Sequence, residues 1–167
     1  MRAGLTIEPY VIEHGRPFIG IKRPKGYRPR AAKQCFRGPS LDNGRAAVLS
    51  VPIDSVFGNE APVDKRLFEL PLGEGRGVRD LAVFNDGVLV LAGPTASGPG
   101  PYAIYWWNGE SEDVKLLKDL ADVVGANRER KAEGLLPLDE SASGLRVLIL
   151  FDSEKEGAPV AVMIPRP

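Results

Sequence analysis

The sequence predicts an all-β, propeller-like fold. Three observations carry that prediction. One pattern occurs three times in 167 residues: an acidic strand opening, a tight turn, a second apolar strand, a loop and a third strand. Glycine and proline are frequent, at 19 and 15 residues, and are spread along the chain as the turns of an all-β protein require. The one segment suited to a helix is short, near 119–126.

The three openings are Thr6-Ile7-Glu8-Pro9-Tyr10, Val78-Arg79-Asp80-Leu81-Ala82 and Lys131-Ala132-Glu133-Gly134-Leu135. Each leads to a strand-like run: Phe18-Ile19-Gly20-Ile21, Val88-Leu89-Val90-Leu91 and Val147-Leu148-Ile149-Leu150. The third members are Ala46-Ala47-Val48-Leu49, Ala103-Ile104-Tyr105-Trp106 and Val160-Ala161-Val162-Met163. Eleven strands follow. The first group is about 5–12, 18–22, 45–52 and 66–70. The second is about 78–84, 87–92, 102–107 and 114–118, and the third about 132–138, 146–151 and 159–164. His14-Gly15, Asn43-Gly44, Asn85-Asp86-Gly87, Asn108-Gly109 and Ser143-Gly144 supply the tight connections. In the short helix, Asp119 or Asp122 would stand near the start and Gly125 near the end. The competing reading extends the strand Val114–Leu117 and leaves the rest as loop.

These groups make a single propeller-like domain over 1–167, with blades at about 5–70, 78–118 and 132–164 and a basic loop at 22–38. The expectation is about three four-stranded blades, the last without its outer strand, which is half a propeller. A closed ring takes about four to eight blades, so two blade faces would stay bare. Bare apolar faces and open edges are association sites. The chain is therefore expected either to form a symmetric dimer completing a six-bladed ring or to pair with a missing N-terminal half.

Charge balances at 22 basic and 22 acidic residues, with no global pull toward nucleic acid or membrane. Its distribution is uneven: residues 1–40 hold nine Lys/Arg and two Asp/Glu. Cys35 is the sole cysteine and His14 the sole histidine, so an intrachain disulfide and Cys/His zinc sites within one chain are excluded. The N-terminal stretch lacks the apolar core of a signal peptide, and no run approaches the about 20 apolar residues of a membrane helix. A cytoplasmic protein without a membrane segment is expected.

The stretches Gly75–Ala82, Val88–Pro94 and Gly100–Trp107 resemble an uncharacterised bacterial family, number 3616 among domains of unknown function. Arg37-Gly38-Pro39 matches that family's Arg-Gly-Pro turn, and Glu133-Gly134-Leu135 matches its Glu-Gly-Leu strand start. The resemblance runs from Leu5 over most of the chain. It implies a propeller-like fold with no assigned activity. Members of the family are about twice as long, so the chain resembles a C-terminal half. Lys25–Phe36 looks inserted, and Glu8-Pro9 replaces the expected Glu-Gly.

In an up-and-down blade, the entry to the first strand and the connection between the second and third strands lie at one end. Glu8, Asp80 and Glu133 would then ring the mouth of a central channel, surrounded by loops 23–44, 93–101 and 152–158. Converging carboxylates suit a hard cation such as Ca²⁺ or Mg²⁺. The alternative is that each accepts hydrogen bonds from neighbouring backbone or from Arg76 and Arg79. The Glu-Gly-Leu start is similar to that of metal-dependent propeller hydrolases acting on phosphoesters and lactones, a likeness at the level of fold.

The segment Lys22–Gly38 carries seven basic residues and no acid. Arg28, Arg30 and Arg37, with Arg76 and Arg79, are the candidate anion-binding residues, since guanidinium matches phosphate oxygens. Tyr27 and Phe36 add stacking surfaces for a nucleic acid or another polyanion. Other motifs carry less. Gly73-Glu74-Gly75-Arg76-Gly77 precedes a strand, where the dinucleotide-binding mechanism needs a helix. No Gly-x-Ser-x-Gly elbow accompanies His14, which argues against a Ser-His-Asp triad. Cys35 sits among positive charges and is read as incidental, and Trp106 and Trp107 point to opposite faces of one strand. Three functional readings stay open: a propeller-type binding or scaffold module, a Ca²⁺- or Mg²⁺-dependent hydrolase of phosphoesters or lactones, and a polyanion binder acting through the basic loop.

Overall fold

The computed structural model describes residues 12–13, 16–17, 33–52, 65–96, 100–125, 130–152 and 154–167. They form an all-β structure of three antiparallel sheets. The first contains β1 (Ile12–Glu13), β2 (Arg16–Pro17), β3 (Lys33–Ser40), β4 (Arg45–Pro52) and β5 (Arg66–Pro71), in the order β2-β1-β3-β4-β5. The second is the meander β6 (Arg76–Phe84), β7 (Gly87–Pro94), β8 (Ala103–Trp107) and β9 (Val114–Asp119). The third is the meander β10 (Lys131–Ser141), β11 (Gly144–Asp152) and β12 (Val160–Ile164).

The second sheet is the middle layer. Its β7 reads Val-Leu-Val-Leu-Ala without polar alternation, and every residue from Gly87 to Pro94 is buried. A strand covered on both faces has that composition. On one face Val88, Val90 and Ala92 join Val48, Phe68 and Leu70 of the first sheet. On the other, Leu89 and Leu91 join Leu135, Val147 and Ile149 of the third. Trp107 packs in the first cluster, edge-on to Phe68 with ring centroids 4.9 Å apart, and Trp106 lies against the second. At one margin of the stack, β6 lies against both β3 and β10. β6, the first strand of the second sheet, therefore lies between β3 and β10, the first strand of the third.

The edge strand β5 is closed by the turn after β8. The Glu112 carboxylate accepts the Glu69 N–H at 3.3 Å and the Arg45 guanidinium at 2.9 Å, so an open backbone donor gains a partner.

Two expectations are corrected. The basic stretch 22–38 is not loop throughout: from Lys33 it is strand β3, paired with β4 from Lys33↔Pro52 to Arg37↔Val48. The apolar strand β4 needs partners on both sides for its backbone groups, and β3 supplies one of them. The short helix near 119–126 is also absent among the described residues. Asp119 ends β9, its side chain accepts the Ala121 N–H at 2.8 Å, and a single turn follows. The Leu120 carbonyl accepts the N–H groups of Val123 and Val124, and Gly125 then leaves the turn at φ +91°. That turn exists to seat Leu120 and Val124, both fully buried, in the cluster between the second and third sheets. No helix among the described residues is long and apolar enough to cross a membrane.

Candidate functional site

Strict alternation fails at the start of β6 and of β10, and the site is built where it fails. Val78 and Ala82 stand four residues apart and would share a face of a regular strand. They lie instead in opposite clusters. Ala132 and Leu135 stand three apart and lie in the same cluster. One extra residue in each strand explains both. The register of β6 with β7 shifts between Val78 and Asp80, and that of β10 with β11 between Ala132 and Gly134. The bulged residues are Arg79 and Glu133. A bulge bends its strand and re-aims the extra side chain, and here the two side chains meet. In β3 the irregularity falls after Arg37, which is itself paired with Val48, and the end of β3 at Ser40 lies beside the start of β6 at Gly77; Arg37 is therefore no counterpart of the two bulges, although its side chain reaches them.

These three side chains form a chain of contacts. Arg37 donates to the main-chain carbonyl of Arg79 and approaches Glu133 Oε2 at 4.0 Å. Arg79 Nη1 pairs with Glu133 Oε1 at 2.9 Å, and its Nη2 donates to the Pro94 carbonyl. Arg79 and Glu133 are both mostly shielded, with side-chain exposures of 25% and 29%. Beside them lies a cleft of about 220 Å³ lined by Arg79, Thr95, Ala96, Tyr102, Lys131, Glu133 and Asp152. Thr95 and Ala96 follow β7 and Asp152 ends β11, so connections between second and third strands border this mouth.

Tyr102 forms the buried wall of the cleft. Burial raises its pKa above the ordinary 10.0, because the phenolate would lose its water; the Glu133 charge adds to this, while Arg79 and a backbone hydrogen bond with Ala132 oppose it. The hydroxyl therefore stays protonated and serves as a hydrogen-bonding group rather than a base.

The predicted site residues separate into distinct places. Asp80 lies next to the bulge, and its carboxylate is engaged by backbone: Oδ2 accepts the Leu135 N–H at 2.8 Å and Oδ1 the Leu81 N–H at 2.9 Å. It joins β6 to β10. Glu133 faces the cleft with Arg79. Arg76 is turned into the fold, where it donates to the carbonyls of Leu72 and Pro101 and to the Tyr105 hydroxyl and pairs with Asp119 at 3.4 Å. Glu8, Arg28 and Arg30 lie outside the described residues. Among the described residues no group of three or more His, Cys, Asp or Glu side chains gathers as a metal site.

Sequence reading missed Tyr102, Lys131 and Asp152. Lys131 and Asp152 are cross-strand partners at the mouth end of the third sheet, a pairing that needs the strand register before it can be seen. A second cleft, about 460 Å³, lies beside the β6–β7 turn and is lined by Asn85, Asp86, Trp106, Glu140, Arg166 and Pro167. The bulges do not reach it.

Comparison with characterised proteins and with solved structures gives no match. A family model described as "Protein of unknown function (DUF3616)" matches residues 3–160, nearly the whole chain, and the protein belongs to that family.

Proposed function

We propose that the protein is a propeller-type binding and scaffold module. In this reading the three sheets are consecutive blades about a shared axis, and the cleft beside Arg79 and Glu133 is the ligand-contacting mouth. One observation carries it: the first strands of the second and third sheets carry matching bulges, and the extra residues Arg79 and Glu133 meet across the seam at 2.9 Å. Two of the repeat's openings, Val78–Ala82 and Lys131–Leu135, lie side by side at one margin of the stack, as an array around an axis requires.

Binding accounts for the chemistry of the mouth better than turnover does. Tyr102 is held protonated, Asp80 is engaged by two backbone donors and Glu133 by a guanidinium. What remains to meet a ligand is Lys131 with Asp152 across from it, the exposed guanidinium of Arg37 and the rim of Arg79, and the three cations suit a small ligand bearing an anionic group.

Titration with inorganic phosphate, followed by amide NMR, tests this. The expected result is saturable shifts at Arg79, Glu133 and Thr95 in the millimolar range, weakened by Lys131→Gln and by salt. Absence of those shifts overturns the ligand reading. Hydrolysis of a phosphoester or lactone that is lost in Glu133→Gln overturns the binding-module reading in favour of an enzyme.

A further inference from the structure

The second cleft lies between the second and third sheets, at the strand ends away from the bulges. Asn85 and Asp86 of the β6–β7 turn and Trp106 of β8 line it from one sheet, and Glu140 of β10 with Arg166 and Pro167 after β12 from the other. Its volume, about 460 Å³, is that of a small-molecule site. Two adjacent tryptophans differ sharply here. Trp107 is fully buried, and its Nε1–H donates to the Ser111 carbonyl at 2.6 Å. Trp106 is half-buried against the cluster between the second and third sheets, and among the described residues no acceptor meets its Nε1–H. The indole reaches the turn because glycine stands beneath it: a Cβ on Gly87 would lie 2.4 Å from Trp106 Nε1. The charged residues are also unengaged. Asp86 and Glu140 share the cleft with Arg166, yet among the described residues no ion pair joins them, whereas Arg45–Glu112, Lys118–Asp122 and Arg146–Asp139 pair on open surface.

We propose that this cleft binds a neutral saccharide ring, with Trp106 as its stacking surface and Asn85, Asp86, Glu140 and Arg166 as partners of its hydroxyls. The mixture of donors and acceptors selects that class. Carboxylates only accept, guanidinium and indole N–H only donate, and the Asn85 amide does both. A cationic ligand would suit Asp86 and Glu140 but meet the charge of Arg166. An anionic ligand would suit Arg166 but meet two carboxylates. A hydroxyl donates and accepts, so a neutral ring carrying several of them serves both sets without opposing either charge. The same ring has a face of C–H groups, and an indole presents an electron-rich face for them together with a polar N–H at its edge. Burial of that C–H face on Trp106 supplies attraction, and the hydroxyl partners supply orientation.

The two tryptophans give two indole N–H signals in an amide NMR spectrum of the full chain, which makes the test direct. The probes are glucose, galactose, mannose and N-acetylglucosamine, each free and as its methyl glycoside, up to about 100 mM. The expected result is saturable movement of the Trp106 indole signal with at least one of them while the Trp107 signal stays still. Affinity should fall about fivefold or more in Asp86→Asn and in Glu140→Gln, both at exposed positions, with the rest of the spectrum unchanged. Binding of a free sugar but not its glycoside supports a free monosaccharide as the ligand; binding of both supports the end of a glycan. Four results overturn the proposal: no saturable shift with any sugar; equal movement of both indole signals; affinity unchanged in either variant; or tighter binding at Trp106 of adenosine, inorganic phosphate or tetramethylammonium, which makes the cleft a nucleoside, anion or cation site. The proposal does not rest on reading the sheets as blades. Shifts at Arg79 and Thr95 with phosphate report on the other cleft, so either titration can fail while the other succeeds.

Discussion

Arg79 and Glu133 hold corresponding bulge positions in adjacent sheets and meet across the seam at 2.9 Å. The ion pair is thus a product of two irregularities in register. Each strand gives up one regular pairing, and the extra residue becomes a link to the neighbouring sheet. The pair also closes one side of the cleft, so stability and site geometry depend on the same contact.

Arg79→Gln should lower stability by about 1–3 kcal/mol, since the Pro94 carbonyl and Glu133 both lose a charged donor. Glu133→Gln should cost less. A double-mutant cycle by urea denaturation should give a coupling of about 0.5–1 kcal/mol that shrinks with added salt. A coupling of zero would mean that the seam is held by apolar packing alone.

Asp80→Asn tests the backbone link between β6 and β10. A carboxylate offers both oxygens to the Leu81 and Leu135 N–H groups, whereas an amide can accept with only one. The expected loss is about 1–3 kcal/mol, with faster amide exchange at Leu135. Unchanged exchange there would show that the bond does not persist in solution.

Alkaline pH should weaken the fold through Tyr102. Its pKa is raised in the folded protein above 10.0, so the native state holds the proton more tightly than the unfolded chain. The corresponding stability is fully present below about pH 10 and falls as pH rises beyond it. Tyr102→Phe should flatten the loss in a pH series of thermal melts, at a cost of about 0.5–1.5 kcal/mol at neutral pH for the hydrogen bond with Ala132. Parallel curves for the two proteins would contradict this.

Gly93 passes directly under the Tyr102 ring. A Cβ there would stand 2.4 Å and 2.6 Å from two ring carbons and 3.0 Å from Arg79 Cγ. Gly93→Ala should therefore destabilise by about 1–3 kcal/mol through overcrowding. It should also displace the ring that walls the cleft, read as loss of the phosphate-induced shifts.

The fold class was legible because turns and strand periods are local. Asn85-Asp86-Gly87 announces the β6–β7 hairpin, and the apolar run that follows it marks a buried strand. β3 was hidden because Lys33, Arg37 and Pro39 read as a charged loop, and its pairing with β4 decided otherwise. The helix at 119–126 failed because burial of Leu120 and Val124 needs one turn and no more. At the site, Glu133 and Arg79 were legible as charged strand openings. The matching of Asp80 with Glu133 was off by one residue, since Asp80 follows the bulge and Glu133 is the bulge. Only broken alternation, seen in the spacing of Ala132 and Leu135, signals such an insertion. Tyr102 and the Lys131–Asp152 pair required knowing which strands are neighbours.

The doubly covered strand β7 has a consequence for how the molecule comes apart. Either outer sheet can peel away while the middle one keeps a neighbour, but β7 cannot be exposed until both have left. Its amide protons should be the last to exchange with deuterium, while truncating Leu89 should loosen the seam to the third sheet and truncating Val90 the seam to the first.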